Sequence, residues 1–205
     1  QGTGGAGDET LTVDAGTGQV QFGDLFGAAG SDDAAGLTNV TLTNSGAVTF
    51  DKIDISGSLV QSNAATGNTT FGDIVSLSTA NIKGTNVTFS DFSSDNAVTI
   101  AASGSVTQNS GTQLTSGGTL TVTANSTTFG NLAASAVALN VTNDASITNT
   151  GSLTTSGSVG RNLTVVNQGS VNLTGSVGRD LSVTADGEAI VSTSLSVVGD
   201  STFSG

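Results

Sequence analysis

The chain has 205 residues and a formal net charge of −12, and it contains no cysteine, histidine, proline, methionine, tryptophan or tyrosine. Serine and cysteine nucleophiles depend on a neighbouring base such as histidine, so we predict that the protein is not an enzyme. Its four Lys and Arg residues are too few for a basic patch, which excludes nucleic acid as a partner. No apolar run approaches the roughly 20 residues of a membrane helix, so we expect no membrane insertion.

The chain begins with a glycine-rich stretch. Residues 1–9 are predicted to be a flexible lead-in or an inter-subunit linker. From Thr10 onward, apolar and polar residues alternate, which predicts β-strands with one apolar face. We expect residues 10–205 to form a single domain. The segment GAAGSDDAAG at 27–36 interrupts the alternation and predicts a loop inserted in one coil.

Short motifs recur along this domain. The later motif Val159–Val165 (VGRNLTV) returns as Val177–Val183 (VGRDLSV). An earlier motif of Phe, a small residue, Asp or Asn, and an apolar residue begins at Phe22, Phe71, Phe89 and Phe129. Apart from the first, the steps lie near multiples of about 20 residues, and a fixed short period is typical of stacked repeats. The first step contains the segment 27–36 and a shifted mark, Phe50-Asp51.

Two β architectures fit these strands. A sandwich or barrel would use hairpins, with turns about 8–12 residues apart, whereas a solenoid would stack like residues above like. The period favours the solenoid. We therefore predict an all-β fold, a right-handed parallel β-helix (β-solenoid) of about ten coils of roughly 20 residues. Such a rod would be on the order of 50 Å long, with Phe22, Phe71, Phe89 and Phe129 in one corner column.

Two longer stretches carry a family resemblance. Ala101–Ala124 (AASGSVTQNSGTQLTSGGTLTVTA), and Ala145–Gly157 followed by Gly178–Ala185, resemble the repeats of filamentous haemagglutinin-like adhesins. The resemblance covers about 37–198. It implies a right-handed β-helix and a structural or adhesive role for an extracellular protein on the surface of a bacterium.

The carboxylates suggest a second possibility. Asp24, Asp73 and Asp91 follow the Phe marks and would stack in one column, where a Ca²⁺ ion could bridge neighbouring carboxylates. Each Asp could instead cap a turn by accepting a backbone N–H bond, and the Asn131 at the equivalent place favours capping. No other metal ligand and no cofactor are predicted.

Outward threonines suggest a third possibility. Thr41 with Thr43, and Thr121 with Thr123, resemble the flat threonine arrays of ice-binding solenoids, although Ser, Asn and Val interrupt the pairs in other coils. The alternatives to a structural role are therefore a Ca- or carbohydrate-binding surface module and, after that, ice binding.

Each end of the repeat region resembles its interior: Gly199–Gly205 resembles Asn125–Gly130, and Asp8–Val13 resembles Gly118–Val122. Neither end carries a polar cap or an amphipathic helix, and an open coil exposes unpaired backbone and apolar surface. We expect a segment of a longer solenoid, or subunits that associate head to tail into a fibre. The residues predicted to meet are Leu11, Val13, Val20, Phe22, Val197 and Phe203. The partners would be a second copy and, on the polar sides, host or neighbouring-cell glycans or proteins.

Overall fold

The computed structural model describes residues 9–26, 37–62, 66–72 and 75–205. The loop predicted at 27–36 lies outside the described residues, as does the lead-in apart from Glu9, which begins the first strand. Within the described residues there is no helix.

The described residues form 23 strands. In chain order these are β1 (Glu9–Asp14), β2 (Val20–Phe26), β3 (Leu37–Asn44), β4 (Val48–Asp54), β5 (Ser58–Gln61), β6 (Thr69–Phe71), β7 (Val75–Leu77), β8 (Thr79–Gly84), β9 (Val87–Phe89), β10 (Phe92–Ser94), β11 (Val98–Ala102), β12 (Ser105–Gln108), β13 (Leu114–Ser116), β14 (Leu120–Ala124), β15 (Ser126–Ala134), β16 (Ala136–Val141), β17 (Ala145–Thr150), β18 (Leu153–Val159), β19 (Leu163–Gln168), β20 (Val171–Val177), β21 (Leu181–Ala185), β22 (Ala189–Val197) and β23 (Ser201–Ser204).

The strands form two sheets that run the length of the molecule. Sheet A contains ten strands in the order β1-β3-β5-β8-β11-β14-β16-β18-β20-β22, and sheet B contains the other 13. Every pairing among the described strands is parallel. The protein is therefore a parallel β-helix, as predicted, with about 9 turns. Its right-handed sense stays a prediction.

Between β4 and β15, sheet B consists of two rows of short strands side by side, which we call lanes. The long strand β4 pairs with both β6 and β7, and β15 pairs with both β12 and β13. The coils between β4 and β15 thus carry three short strands each, while the later coils carry two longer ones. The cross-section of the rod changes at β15.

The coil length is constant from β17 through β19 to β21 but varies elsewhere. Ala145, Leu163 and Leu181 are successive partners in one column, and the two steps between them are equal. The step from Val98 to its partner Leu120 is longer. The step from Val20 to its partner Val48, which contains 27–36, is longer still.

The core lies between the sheets and is built from columns of apolar side chains. In β14, Leu120, Val122 and Ala124 are buried, and the intervening threonines point outward. Val122 pairs with Ile100 below and Leu139 above, and all three are buried. Burial of such a side chain contributes about 1.5–3 kcal/mol, so each coil is stabilised chiefly by its neighbours.

A column of phenylalanines runs through the first four coils. Phe22, Phe50, Phe71 and Phe89 stack with ring centroids 4.9, 5.1 and 5.0 Å apart and nearly parallel planes. Phe92, from the second lane of sheet B, packs edge-on against Phe71 and Phe89. The column therefore also contains Phe50, whose motif is shifted along the sequence relative to the other Phe marks.

Phe129 belongs to the same column but is separated from the stack. Gln108 pairs with Phe89, and Phe129 lies one coil further on, since Thr107 pairs with Thr128. The Gln108 side chain is satisfied: its Nε2 donates to the carbonyls of Thr112 and Asn131, at 2.7 and 2.8 Å, and its Oε1 accepts the Asn131 N–H at 3.1 Å. It joins the split lanes below to the continuous strand β15.

Two buried asparagines follow this change in cross-section. Asn149 Oδ1 accepts the N–H of Ala134 at 3.0 Å, at a point where the register between β15 and β17 shifts. Its Nδ2 donates to Asn167 Oδ1 at 2.8 Å, and Asn167 Nδ2 donates to the Ser170 carbonyl at 3.1 Å. The two amides replace backbone bonds that the sheet cannot make at this corner.

Two buried threonines test the rule that a buried polar group needs a hydrogen-bond partner. Thr69 and Thr127 lie in one interior column. Thr69 Oγ1 donates to the Lys83 carbonyl at 2.8 Å and accepts from Gln61 Nε2 at 3.1 Å. Thr127 is 2% exposed, and its Oγ1 has no hydrogen-bond partner.

We predict opposite effects for the same substitution at these two sites. Thr69→Val should lower the free energy of unfolding by about 1–3 kcal/mol, because it leaves buried partners unpaired. Thr127→Val should be neutral or raise it by up to about 1 kcal/mol, because the methyl group fits where the hydroxyl is unpaired. Urea unfolding midpoints measure both, and shifts in the same direction would contradict the prediction.

A second comparison isolates the aromatic stack. Phe71→Leu removes three ring contacts, whereas Phe129→Leu is made at a buried Phe outside the stack. Each ring pair is worth about 0.5–1.5 kcal/mol beyond its buried area. Phe71→Leu should therefore lower the unfolding midpoint more than Phe129→Leu, and equal losses would show that the stack adds nothing.

Candidate functional site: the ends and faces of the rod

Two of the three predicted calcium ligands, Asp24 and Asp91, lie within the described residues. Asp24 lies in β2 opposite Lys52, so that a lysine stands where a second carboxylate of the column would have been. Asp91 is exposed, and its Oδ1 accepts the N–H of Gln113 at 2.8 Å, which is a capping contact. Asp73 lies outside the described residues. No group of three or more acidic side chains that could hold a metal occurs in the described part of the chain.

A different polar column was missed from the sequence. It occupies the corner that leads into sheet B, and we call it the corner column. Its members are Asn68, Asn86, Ser105, Ser126, Asp144, Asn162, Asp180 and Asp200, which precede or begin successive strands of sheet B.

Side-chain oxygens in the corner column cap the coil above. Asn86 Oδ1 accepts the Ser105 N–H at 2.9 Å, Asp144 Oδ1 accepts the Asn162 N–H at 3.2 Å, and Asp180 Oδ1 accepts the Asp200 N–H at 3.1 Å. Amide and carboxylate oxygens make the same contact with the N–H above them, so the column needs an oxygen acceptor rather than a charge. The Asn and Asp that precede Leu163 and Leu181 in the Gly-Arg repeat were the signal for it.

The two arginines lie beside this column. Arg161 Nη1 is 3.9 Å from Asp144 Oδ2, and Arg179 Nη2 is 3.9 Å from Asp180 Oδ2. All four side chains are about half exposed. Exposed pairs of this length contribute little to stability, so the arginines act mainly as local charge compensation.

The residues predicted for self-assembly lie at opposite ends of the rod. Among the described strands, β1 and β2 form the first coil and pair only with β3 and β4, and β22 and β23 form the last and pair only with β20 and β21. Val13, Val20 and Phe22 are half-buried against the core at one end, with Leu11 also half-buried. Val197 is half-buried at the other end, where Phe203 is 44% exposed.

The phenylalanine column connects these two ends. It starts at Phe22 and continues beyond Phe129 through Ile147, Val165 and Val183 to Phe203. Each end of the described rod therefore presents a phenylalanine at the same column position.

The outer face of sheet B carries a file of hydroxyl side chains. It consists of Thr49, Thr70, Thr88, Thr107, Thr128, Ser146, Thr164, Ser182 and Thr202, which pair in succession. The threonine pairs singled out in the sequence lie on sheet A, where Thr41 pairs with Val60 and Thr121 with Ala138. Outward pairs of this kind contribute about 0.2–1 kcal/mol across strands, which explains the file structurally.

A shallow groove of about 470 Å³ runs beside the corner between the sheets in the last four coils. Asn140, Ser158 and Ser176 line it, and Val198, which is 80% exposed, closes it at one end. The groove is open to solvent and is lined by uncharged side chains.

The corner column generates a test of cap against charge. Asp180→Asn should leave the unfolding midpoint near that of the wild type, because the amide oxygen can still accept the Asp200 N–H. Asp180→Ala should lower stability by about 0.5–1.5 kcal/mol. If Asn costs as much as Ala, the carboxylate charge matters and a bound cation becomes the better explanation, to be checked by adding Ca²⁺ and then EGTA during thermal unfolding.

Comparison with known protein families, with characterised proteins and with solved structures finds no match to this chain. No helix among the described residues is long and apolar enough to cross a membrane.

Proposed function

We propose that this chain is a shaft segment of an extracellular fibre or surface adhesin, and that its role is mechanical. The observation that carries the proposal is the unbroken parallel pairing from β1 to β22 in sheet A and from β2 to β23 in sheet B. Each coil rests on the next through backbone hydrogen bonds and interior columns. The product is a rod that sets a distance and offers its sides as a surface.

The length of such a shaft follows from its coils. Neighbouring strands lie about 4.8 Å apart, so about 9 turns give a rod on the order of 45 Å long. Adding or removing whole coils changes this length without altering any lateral contact. The length of such a spacer changes in steps of one strand spacing.

The extracellular part of the proposal has separate support. The sequence resembles adhesin repeats of filamentous haemagglutinin type, and the net charge of −12 keeps such a surface hydrated. The proposed partners are further coils or a second copy at the ends, and host or neighbouring-cell glycans or proteins along the polar sides.

Removing one coil tests whether the coils are interchangeable units. Deletion of residues 145–162 joins Asp144 to Leu163, which occupies the same column position as Ala145. Asn167 then takes the place of Asn149, its partner one coil below. We expect a folded rod that is shorter by about 4.8 Å, seen by small-angle scattering, with a β-sheet circular dichroism spectrum per residue like that of the wild type.

The matched control deletes residues 145–153, half of the same coil. This change puts the later strands opposite the wrong sheet, so we expect loss of the cooperative unfolding transition. If the two deletions are equally destabilising, the coils are not modular and the shaft proposal fails.

A further inference from the structure

We propose that the partner at each end of the rod is the opposite end of a second copy, docked in one register that places Phe22 of the second copy over Phe203 of the first. This inference rests on the proposed function, because it specifies how shaft segments join. In the proposed joint, β23 pairs with β2 of the next copy and β22 pairs with β1. Both sheets then continue in parallel across the joint.

The register follows from the columns of sheet B. Ser201 and Phe203 pair with Leu181 and Val183 below them, and these columns lead back to Val20 and Phe22 in the first coil. One more strand step above β23 therefore places Val20 over Ser201 and Phe22 over Phe203. The ring of Phe203 would then stack on a phenylalanine as Phe22 does on Phe50, at 4.9 Å.

Sheet A independently gives the same register. Leu195 pairs with Gly175, in the interior column that contains Leu139 and Val122 and that begins at Val13. Leu195 and Val13 are both half-buried and already packed on the core of their own copy. A single docking step thus covers the apolar residues of both sheets, without sliding one sheet relative to the other.

The corner column supplies a polar contact in the same register. Each capping oxygen accepts the backbone N–H one coil above, as Asp180 Oδ1 does for Asp200. Gln19 directly precedes Val20, so it would lie above Asp200 in the docked copy. The Asp200 carboxylate would then accept the Gln19 N–H, and the column would continue across the joint.

Charge opposes this contact and makes it depend on salt. The first coil carries the exposed Asp14, and the last coil carries the exposed Glu188 and Asp200. Repulsion between exposed carboxylates falls as ionic strength rises, because the screening length shortens. Assembly should therefore be stronger at high salt.

Disulfide capture tests the register, and the chain offers a background free of cysteine. In the proposed joint, Thr202 of one copy lies beside Gln21 of the next, on the outer face of sheet B. Paired positions on adjacent strands are about 4.8 Å apart, within the range of about 4.4–6.8 Å that a disulfide spans. The double variant Gln21→Cys/Thr202→Cys should give a ladder of dimers, trimers and longer species on oxidation, resolved on a non-reducing gel.

Two further pairs from the same file serve as controls. Ser182→Cys/Thr202→Cys joins residues that are partners within one copy, so it should give an oxidised monomer and show that the spacing permits the bond. Gln21→Cys/Ser182→Cys places the thiols two strand steps apart in the joint and should give no ladder. A ladder from this control equal to that of the test pair would overturn the register.

Substitution of Phe203 tests the contact without cross-linking. Phe203→Asp should raise the concentration needed for half-assembly about ten- to hundredfold, measured by sedimentation velocity at high salt. Val166→Asp is the matched control, since Val166 is 41% exposed and Phe203 44%, but Val166 lies on the side of the rod. The control should assemble like the wild type.

The outcomes separate this inference from the proposed function. A wild-type chain that stays a single rod at high concentration and high salt overturns docking of a second copy, while the shaft proposal is judged by the coil deletions alone. Assembly in which Phe203→Asp and Val166→Asp are equally harmful, or equally harmless, overturns the end-to-end contact.

Discussion

The structure depends on one constraint: every strand must find the hydrogen-bonding groups of a strand one coil away. In this chain those bonds run along the rod, and all of them among the described strands are parallel. A strand of a parallel pair cannot be supplied by a hairpin, so each coil must return to its starting point after one circuit. The interior columns follow from this, because a coil that returns in register places like side chains above like, as at Phe50 and Phe71.

Places where the circuit changes shape need side chains to replace backbone partners. Gln108 bonds to Asn131 where two lanes merge into β15, and Asn149 bonds to Ala134 where the register shifts. The glycines of β18 and β20 meet a different need, the close approach of neighbouring coils: Gly157 and Gly175 have φ values of 103° and 108°, and a Cβ at either would collide with a carbonyl oxygen of the coil below. The buried Gln108 and Asn149 side chains therefore act as parts of the hydrogen-bonded ladder.

The sequence was sufficient for the fold because period and alternation are local properties. The Phe marks and the Gly-Arg repeat predicted coils of about 20 residues, and the alternation in segments such as Leu120–Ala124 predicted which face is buried. Register was less accessible, since coils of several different lengths coexist. That variation shifted the Phe50 mark relative to the other Phe marks, and it brings Lys52 rather than an aspartate opposite Asp24. The corner column was missed because its members vary between Asn, Ser and Asp, which share an acceptor oxygen but no single letter.

The division of labour between inside and outside follows from the same constraint. An interior position is fixed by the residues one coil above and below, so a change there is felt by three coils, as the contacts of Phe71 show. An outward position such as Thr164 or Val166 is fixed only by β-propensity and its cross-strand neighbours. Surface residues can therefore vary while the rod persists. For the proposed shaft this is the useful arrangement, because the side surfaces can change without altering the ladders that join one coil to the next.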